Sequence, residues 1–390
     1  MRRTAPQERE PAPRTGSSTR PASACRCGAR VPGAPSAQGC NRGPLRARAL
    51  FALGLALAPP QSGGPVPTVG APPDPYDHVL VVGVDGLRSD ALLLDGVDFP
   101  ALDRLCGQAV TWNARTDPDW TVTLPNFTGV LTGRLVEGPK GHGWRENRTP
   151  HPGRRLVGPD GEPVPGLFHV SAAAGVAGYL GAGKDKFVLF DRSWNDDAER
   201  FTYVRHRDAA DGVRHLLAWW DSDPAPRTVA FLHLAECDAA GHAEGWDLTP
   251  GSAYLEAVAT VDAQLERVLA WLDEHPERRA RTAVVLTADH GGGVPLENHH
   301  GLGHLWTNYV IPFALWTGDA RWTGPLYDLA GDARRDPGLW DPRPDAEAPP
   351  PIRNAEAANL ALALLGLPPV PGSTVGAHRP LLAVPTAATR

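Results

Sequence analysis

The sequence predicts an α/β protein with a mainly parallel central sheet and helices on both faces. Three apolar runs at residues 78–84, 228–234 and 282–287 have the length and composition of buried strands. Residues 252–274 repeat apolar side chains with i, i+3, i+4 spacing, which is typical of a long helix packed on a core. Because strands alternate with helices along the chain, parallel pairing is favoured over hairpins.

Shorter elements are expected between and after these four. Further helices are predicted at residues 98–108, 168–174, 208–220 and 355–365, and further strands at residues 187–189 and 309–315. Asp98 is predicted to cap the first of these helices, and Gly366 to end the last one.

The first seventy-five residues differ in composition from the rest. Residues 1–70 contain ten Arg and two Glu, a charge of about +8, so the remainder carries about −14 of the formal net charge of −6. We expect residues 1–75 to be a disordered basic tail with a Pro/Gly linker. Residues 49–58 are apolar and follow three Arg, and they are too short to span a bilayer but suit a signal-peptide core. Export is therefore predicted, with the cytoplasm as the alternative.

The composition excludes several other classes of protein. The basic tail lacks interleaved aromatic residues, so no nucleic-acid-binding module is evident, and no stretch is long enough for a transmembrane helix. The five cysteines do not form a disulfide framework, and Cys25 and Cys27 are too sparse for a zinc site. Cys106 and Cys237 could pair in an exported protein, or Cys237 could be a small buried residue.

Acidic and imidazole side chains follow the three buried strands. Asp85 follows the first strand, Asp238 and His242 follow the second with D-x-x-x-H spacing, and Asp289 and His290 follow the third. A single aspartate at a strand end is more often a turn or capping residue than a ligand. However, the carboxyl ends of parallel strands share one edge of a sheet, where ligands bind. The five side chains are therefore predicted to lie close together.

A histidine-rich loop follows the last of these strands and contains His299, His300 and His304. Three Asp and three His suit zinc, which binds imidazole and carboxylate together. Six ligands exceed the capacity of one four-coordinate ion. The sequence therefore predicts two divalent metal ions, and zinc is the expected metal. Two metal ions a few Å apart suit in-line displacement at phosphorus.

Such a reaction needs a nucleophile, and residues 121–129 provide the candidate. Thr123 precedes a Leu-Pro-Asn turn that leads towards a helix beginning near Phe127. A bound metal would lower the pKa of the Thr123 hydroxyl, and a helix N-terminus favours an anionic phosphoryl group. The alternative is that Thr121, Thr123 and Thr128 are ordinary turn or capping residues.

Taken together, the motifs resemble the alkaline phosphatase superfamily, and within it the type I phosphodiesterase/nucleotide pyrophosphatase family. The resemblance covers most of residues 78–375 and depends on the order and spacing of six motifs. These are VVGVDGLRSDAL at 81–92, TLPNFTGVLTG at 123–133, GHG at 141–143, AECDAAGHAEG at 235–245, TADHGGG at 287–293, and HHG followed by NYVIPF at 299–313. It implies an alkaline phosphatase-like three-layer sandwich over residues 76–385, with a substrate-facing insertion at about 136–197.

The resemblance also implies roles for individual residues. One zinc ion would be held by Asp85, Thr123, Asp289 and His290, and the other by Asp238, His242 and His300. Thr123 would be the nucleophile, and Asn126 would hydrogen-bond a phosphate oxygen. His300 is followed by ten residues before Ile-Pro, as is usual in this family, whereas His304 is followed by six and is the second choice.

The implied enzyme is a metal-dependent hydrolase of phosphoric ester or phosphoanhydride bonds in small molecules. It would be a two-zinc phosphodiesterase or nucleotide pyrophosphatase that forms a threonyl-phosphate intermediate. The alternatives are a phosphomonoesterase, a phosphonate hydrolase or a phosphotransferase of the same superfamily. A sulfatase is disfavoured because the sequence at Thr123 lacks the Cys or Ser and the Arg of the sulfatase pattern. Lys184 and Lys186 are predicted to be exposed, with contact to an anionic substrate as the alternative, and Arg88 is predicted to have a packing or capping role.

Overall fold

The computed structural model describes residues 74–196, 198–294, 296–338 and 349–382. The predictions for the tail, including the segment 49–58 and the three tail cysteines, lie outside these residues. Within the described ranges, no helix combines the length and the apolar composition needed to cross a membrane.

Eight strands form a single sheet. They are β1 (His78–Val84), β2 (Ala109–Arg115), β3 (Ala177–Ala182), β4 (Thr202–Arg205), β5 (Thr228–Leu234), β6 (Thr282–Ala288), β7 (Val310–Thr317) and β8 (Gly324–Pro325). The strand order is β4-β3-β5-β1-β6-β7-β2-β8. The first five strands of this order are parallel, whereas β7 runs antiparallel to both β6 and β2. The predicted α/β class with a mainly parallel sheet is confirmed.

The helices fall into two groups around the sheet. They are α1 (Pro100–Cys106), α2 (Thr123–Thr132), α3 (Leu167–Ala173), α4 (Val188–Trp194), α5 (Ala209–Asp221), α6 (Glu236–Glu244), α7 (Ala253–Glu274), α8 (Pro276–Ala280), α9 (Trp306–Tyr309), α10 (Leu326–Ala330) and α11 (Glu356–Leu364). Helices α1, α5 and α6 pack against α7, and α2 and α3 pack against α11. Every residue of β1, β5 and β6 is buried, as expected for strands that are covered on both faces.

The predicted helices at 208–220 and 252–274 begin where side chains cap them. Asp208 accepts a hydrogen bond from the amide of Asp211, and Ser252 accepts one from the amide of Leu255. The predicted cap at Asp98 is wrong, because α1 begins after Phe99 and has no side-chain cap. Pro100 provides the helix start instead, since its fixed φ suits the first helical position.

Two predictions between residues 136 and 197 need correction. Residues 187–189 do not form a strand but belong to a 3-10 turn and the start of α4, because their apolar side chains form the buried face of a helix. The segment is also not wholly an insertion, since it contains β3, which pairs with β5 and β4 inside the main sheet. The four small residues of AGYLGA, two Ala and two Gly, concealed this strand in the sequence.

The two cysteines of the described chain are buried and free, so they do not pair. Cys237 is fully buried at the start of α6, in agreement with a small packing residue.

Candidate metal centre and active site

The ends of three adjacent strands bring the predicted acidic residues together. Val84, the last residue of β1, lies opposite Leu234 of β5 and Ala288 of β6. Asp85 and Asp289 therefore stand level with each other, one residue beyond the sheet. Because β1 lies between β5 and β6, Asp85 is at the middle of the edge, where parallel strands present their ligands.

The first group of ligand atoms, which we call group A, comprises Asp85, Asp289 and His290. All three side chains are fully buried, and their ligand atoms lie within 4.8 Å of one another. Nε2 of His290 is 3.1 Å from Oδ2 of Asp289 and 3.5 Å from Oδ1 of Asp85. The other oxygen of Asp289 accepts hydrogen bonds from the amides of Gly86 and His290, which orient the carboxylate.

The second group, group B, comprises Asp238, His242 and His300. Asp238 and His242 lie one turn apart on α6, and Nε2 of His242 is 3.4 Å from Oδ1 of Asp238. Nε2 of His300 is 3.1 Å from Nε2 of His242 and 3.7 Å from Oδ1 of Asp238. His299 and His304, in the same loop as His300, are exposed. His300 is therefore the loop histidine that joins the cluster.

Groups A and B adjoin each other directly. The rings of His290 and His300 stack with their centroids 3.7 Å apart, and His290 also lies within the ligand cluster of Asp238 and His300. Each of these two rings hydrogen-bonds a backbone carbonyl through Nδ1, that of Gly291 for His290 and that of Thr121 for His300. Nδ1 must donate in both bonds, so Nε2 keeps its lone pair for a metal.

The electrostatics of the cluster suit a cation. Burial lowers the pKa of both His290 and His300 to about 3, so both rings are neutral at neutral pH. Burial and the neighbouring Asp85 and Asp238 raise the pKa of Asp289 well above its usual range. A metal ion would oppose this effect, because it stabilises the ionised carboxylate.

Four atoms of the cluster are buried without a hydrogen-bond partner. They are Oδ1 of Asp85, Oδ1 of Asp238, Oδ2 of Asp289 and Nε2 of His290. An unsatisfied buried polar atom costs on the order of 1–3 kcal/mol, so four that converge on one place indicate a missing partner. All four are acceptors, and carboxylate oxygen with neutral imidazole nitrogen is a typical donor set for zinc. The residues therefore fit the metal ions that the sequence implies.

Lys184 contributes a positive charge to this cluster, and its predicted exposure is wrong. Its side chain is only 21% exposed, and Nζ lies 2.7 Å from Oδ2 of Asp85 and also contacts Oδ2 of Asp238. Burial raises the pKa of Asp85, but the Lys184 ammonium and His233 outweigh this effect and bring the pKa well below its usual range. Sequence spacing gave no sign of this contact, because Lys184 follows β3, whose place beside β5 was not predicted.

The candidate nucleophile follows a segment that is bonded to His300. Thr123 is the first residue of α2 and is 1% exposed. Two residues earlier, Thr121 bonds His300 twice, since its hydroxyl donates to the His300 carbonyl and its carbonyl accepts from the His300 ring. The start of α2 is thus tied to the loop that carries a ligand histidine.

Asn147 and Lys186, whose positions the sequence did not reveal, lie at the same helix start. Oδ1 of Asn147 accepts hydrogen bonds from the amide of Leu124 and from Nζ of Lys186, at 2.9 Å each. An oxygen therefore occupies the position at which a helix N-terminus attracts an anion. Lys186 is partly buried, so this residue too is less exposed than predicted, and the burial lowers the pKa of its ammonium group.

The side-chain amide of Asn126 is predicted to bind a phosphate oxygen, but it makes hydrogen bonds within the protein. Its Oδ1 accepts from the Asp117 amide and from Nδ2 of Asn354, and its Nδ2 donates to the carbonyls of Trp120 and Val122. The amide is therefore bonded at both ends inside the protein and braces the turn before Thr123. Contact with a phosphate oxygen stays a prediction for Asn126.

Two further features frame the centre. Gly86 has a φ of +75°, and a Cβ there would lie 2.9 Å from the Asp238 backbone, so a larger residue would push group B away from Asp85. Arg88 pairs with Asp90 and donates to the carbonyls of Trp246 and Gly292, which agrees with its predicted packing role.

His233 is a buried neighbour of Asp85 that the sequence interpretation did not single out. Its Nε2 lies 3.0 Å from Oδ2 of Asp85, and both side chains are fully buried. The available signal was a histidine at the next-to-last position of an otherwise apolar strand, TVAFLHL.

The site is thus a buried cluster of carboxylates and imidazoles at the edge of an α/β sheet, as found in metal-dependent hydrolases. Residues 178–309 match the family model for type I phosphodiesterase/nucleotide pyrophosphatase, which confirms the predicted resemblance. The matched region contains group B together with Asp289 and His290, whereas Asp85 and Thr123 precede it. No curated protein matches the chain.

Solved structures share the fold at low sequence identity. The 2-O GAG sulfatase BT1596 is 14% identical with a TM-score of 0.52, over 81% of this chain and 76% of that chain. A putative sulfatase from Bacteroides thetaiotaomicron is 14% identical with a TM-score of 0.50, over 75% of this chain and 71% of that one. Murine ectonucleotide pyrophosphatase/phosphodiesterase 5 is 20% identical with a TM-score of 0.41, over 55% of this chain and 57% of its own length. The chain thus spans little more than half of that relative.

Proposed function

We propose that this protein is a two-zinc phosphodiesterase of the type I phosphodiesterase/nucleotide pyrophosphatase family. The observation that carries the proposal is the convergence of four unpartnered, buried acceptor atoms on one place at the edge of the sheet. The family match over residues 178–309 supports a hydrolase acting on phosphoric ester bonds. Group A with Thr123 would hold one zinc ion, and group B would hold the other.

The bound ions would supply positive charge at the attacking and leaving oxygens and would lower the pKa of the attacking hydroxyl. The residues of the chain then have distinct tasks. Thr123 provides the oxygen that attacks phosphorus in line, and its place on the first turn of α2 fixes its direction. The bond from phosphorus to the leaving oxygen breaks, and a threonyl-phosphate remains. A water molecule then attacks from the opposite side and restores Thr123, so the configuration at phosphorus is retained overall.

A second candidate is a hydrolase of phosphate monoesters or phosphonates. It is favoured by Lys184 and Lys186, which bring two ammonium groups close to Asp85 and to the start of α2. A phosphate monoester can carry two negative charges where a diester carries one, so cationic side chains stabilise it more strongly. With metal ions bound to the two aspartates, Lys184 would be free to turn towards the substrate.

A panel of four p-nitrophenyl compounds would decide between these candidates. We expect the fastest turnover with the thymidine monophosphate diester, compared with the phosphate monoester, the phenylphosphonate and the sulfate. Preference for the monoester or the phosphonate would favour the second candidate, and preference for the sulfate would overturn both.

The role of Thr123 is tested by replacing it with alanine. We expect Thr123→Ala to lower turnover by at least about 1000-fold while most of the bound zinc is retained, because the other ligands remain. Thr128→Ala is the matched control, since it removes a second buried hydroxyl of α2, which bonds the Leu124 carbonyl. Equal turnover in Thr123→Ala and the unmodified protein would refute the threonyl-phosphate mechanism.

We also propose that the protein acts outside the cytoplasm. This rests on the apolar segment at residues 49–58, which suits a signal-peptide core. Determination of the N-terminal residue of the mature protein tests it, since cleavage shortly after this segment is expected. Retention of the complete tail in the cytoplasmic fraction would contradict export.

A further inference from the structure

His233 has both ring nitrogens bonded inside the protein. It is the next-to-last residue of β5 and lies opposite Gly83 of β1. The amide of Gly183 donates to Nδ1 at 3.1 Å, and Nε2 lies 3.0 Å from Oδ2 of Asp85. An amide can only donate, so Nδ1 carries the lone pair and the proton is on Nε2. The ring is therefore held as the tautomer that donates to Asp85.

This hydrogen bond distinguishes the two oxygens of Asp85. Oδ2 receives the His233 proton and the Lys184 ammonium, whereas Oδ1 has no hydrogen-bond partner and lies 3.5 Å from Nε2 of His290. A carboxylate can rotate about its Cβ–Cγ bond, and a donor on one oxygen restricts that rotation. His233 and Lys184 therefore hold the same oxygen, Oδ2, and leave Oδ1 of Asp85 facing His290.

Aromatic packing restricts the His233 ring in turn. The edge of Phe127 meets it with centroids 4.8 Å apart at 89°, and Phe187 lies 4.2 Å away. Phe127 is on α2, four residues after Thr123, and a Cβ at Gly83 would lie 2.4 Å from its ring. The His233 ring on β5 is thus contacted by α2, through Phe127, and by the segment that contains Lys184 and Lys186, through Gly183 and Phe187.

We propose that His233 is a positioning residue of the metal centre, whose Nε2–H holds Oδ2 of Asp85 so that Oδ1 is presented to the first metal ion. The metal-binding part of this inference rests on the proposed function. The imidazole acts through Asp85, because its Nε2–H is directed at Oδ2 of that carboxylate.

The first experiment measures zinc affinity of the full-length metal-free protein by competition with a chromogenic chelator. His233→Phe keeps an aromatic ring between Phe127 and Phe187 but removes the donor, and we expect it to bind zinc 10- to 100-fold more weakly, roughly the effect of losing an outer hydrogen bond to a ligand. His233→Gln keeps an N–H and is expected to stay within about threefold of the unmodified protein.

His78→Phe is the matched control. His78 is a buried histidine at the opposite end of the sheet, on β1, and it bonds the hydroxyl of Thr228. We expect this variant to bind zinc as the unmodified protein does. Unchanged affinity in folded His233→Phe, or equal loss in His78→Phe, would overturn the positioning role.

The second experiment needs neither a variant nor a metal. Nitrogen-15 NMR of the metal-free protein at pH 7 should show His233 as the neutral tautomer with its proton on Nε2, and a proton on Nδ1 would overturn the proposal even if His233→Phe does not fold. If the unmodified protein binds no zinc, the proposed function fails, and with it the metal-binding role of His233. The NMR result is then still decisive for the hydrogen bond to Asp85.

Discussion

The two halves of the metal centre are built differently. Group A is fully buried, and its residues directly follow β1 and β6, two paired strands in the interior of the sheet. Group B combines α6 with a loop, and the side chain of His242 is 51% exposed. The sheet therefore determines the geometry of group A, whereas group B depends on packing between a helix and a long Gly-rich loop. We expect the two metal ions to differ accordingly in how tightly they are held.

Among changes to the residues of groups A and B, the largest effect is expected for Asp289→Asn. This change keeps the size of the side chain but removes a charge from group A, so the ion that activates Thr123 should be lost. We predict a fall in kcat/KM of more than about 100-fold, with zinc content reduced by about one ion per chain. Asp247→Asn, at an exposed position outside both groups, is the control. An Asp289→Asn protein with two zinc ions and normal turnover would contradict the assignment of group A.

A smaller effect is expected for His242→Ala. Removal of one exposed imidazole should weaken zinc binding at group B and leave the ion of group A in place. We predict a loss of about one zinc ion and a fall in turnover of about 10- to 100-fold. His304→Ala, in the exposed part of the nearby loop, should change neither quantity. If His304→Ala loses zinc and His242→Ala does not, group B has been assigned to the wrong histidine.

The difference between groups A and B should also appear in the rates at which a chelator removes zinc from them. When a chelator is added to the zinc-loaded protein, we expect two phases, with the more exposed ion of group B leaving first. Stopped-flow detection of released zinc measures both phases, and in His242→Ala only the slow phase should remain. A single phase that releases both ions together would show that the two groups open as one unit.

The smallest effect is a dependence of stability on pH in the metal-free protein. Burial lowers the pKa of His142 to about 3 and that of His78 and His233 to about 4, from 6.5 for an ordinary histidine. Below about pH 6.5 the unfolded chain therefore binds more protons than the folded one, and stability falls as the pH falls towards 4. The lowered pKa values of His206, His290 and His300 add to this effect. Buried carboxyl groups with a raised pKa act in the opposite direction, and these are Asp117, Glu236, Asp262, Asp289 and Glu356.

Urea midpoints between pH 7.5 and 4.5 measure this slope. The zinc-loaded protein should lose stability more steeply over the same range, because its ligand histidines must also bind protons once zinc leaves. A midpoint that rises as the pH falls would contradict the buried, neutral state of these rings.

Local patterns in the sequence were sufficient for the strands and helices that surround the centre. The apolar runs of β1, β5 and β6 are long, and each is followed within four residues by an aspartate of the cluster. The D-x-x-x-H spacing is correct for one face of a helix, and α6 indeed holds both residues one turn apart. The predictions failed for β3 and for residues 187–189, because their sequence signals are ambiguous. A strand rich in glycine and a short buried helical turn both depend on tertiary packing.

The sequence by itself determined the class of fold, the edge of the sheet that carries the site, and the residue types that gather there. These follow from burial and from the fixed direction of parallel strands, which are local properties of each segment. Only the tertiary structure decided which other side chains reach that edge. His233, Lys184 and Asn147 meet Asp85, Asp238 and α2 across long sequence separations. Contacts of this kind depend on strand order and side-chain direction, so no local pattern predicts them.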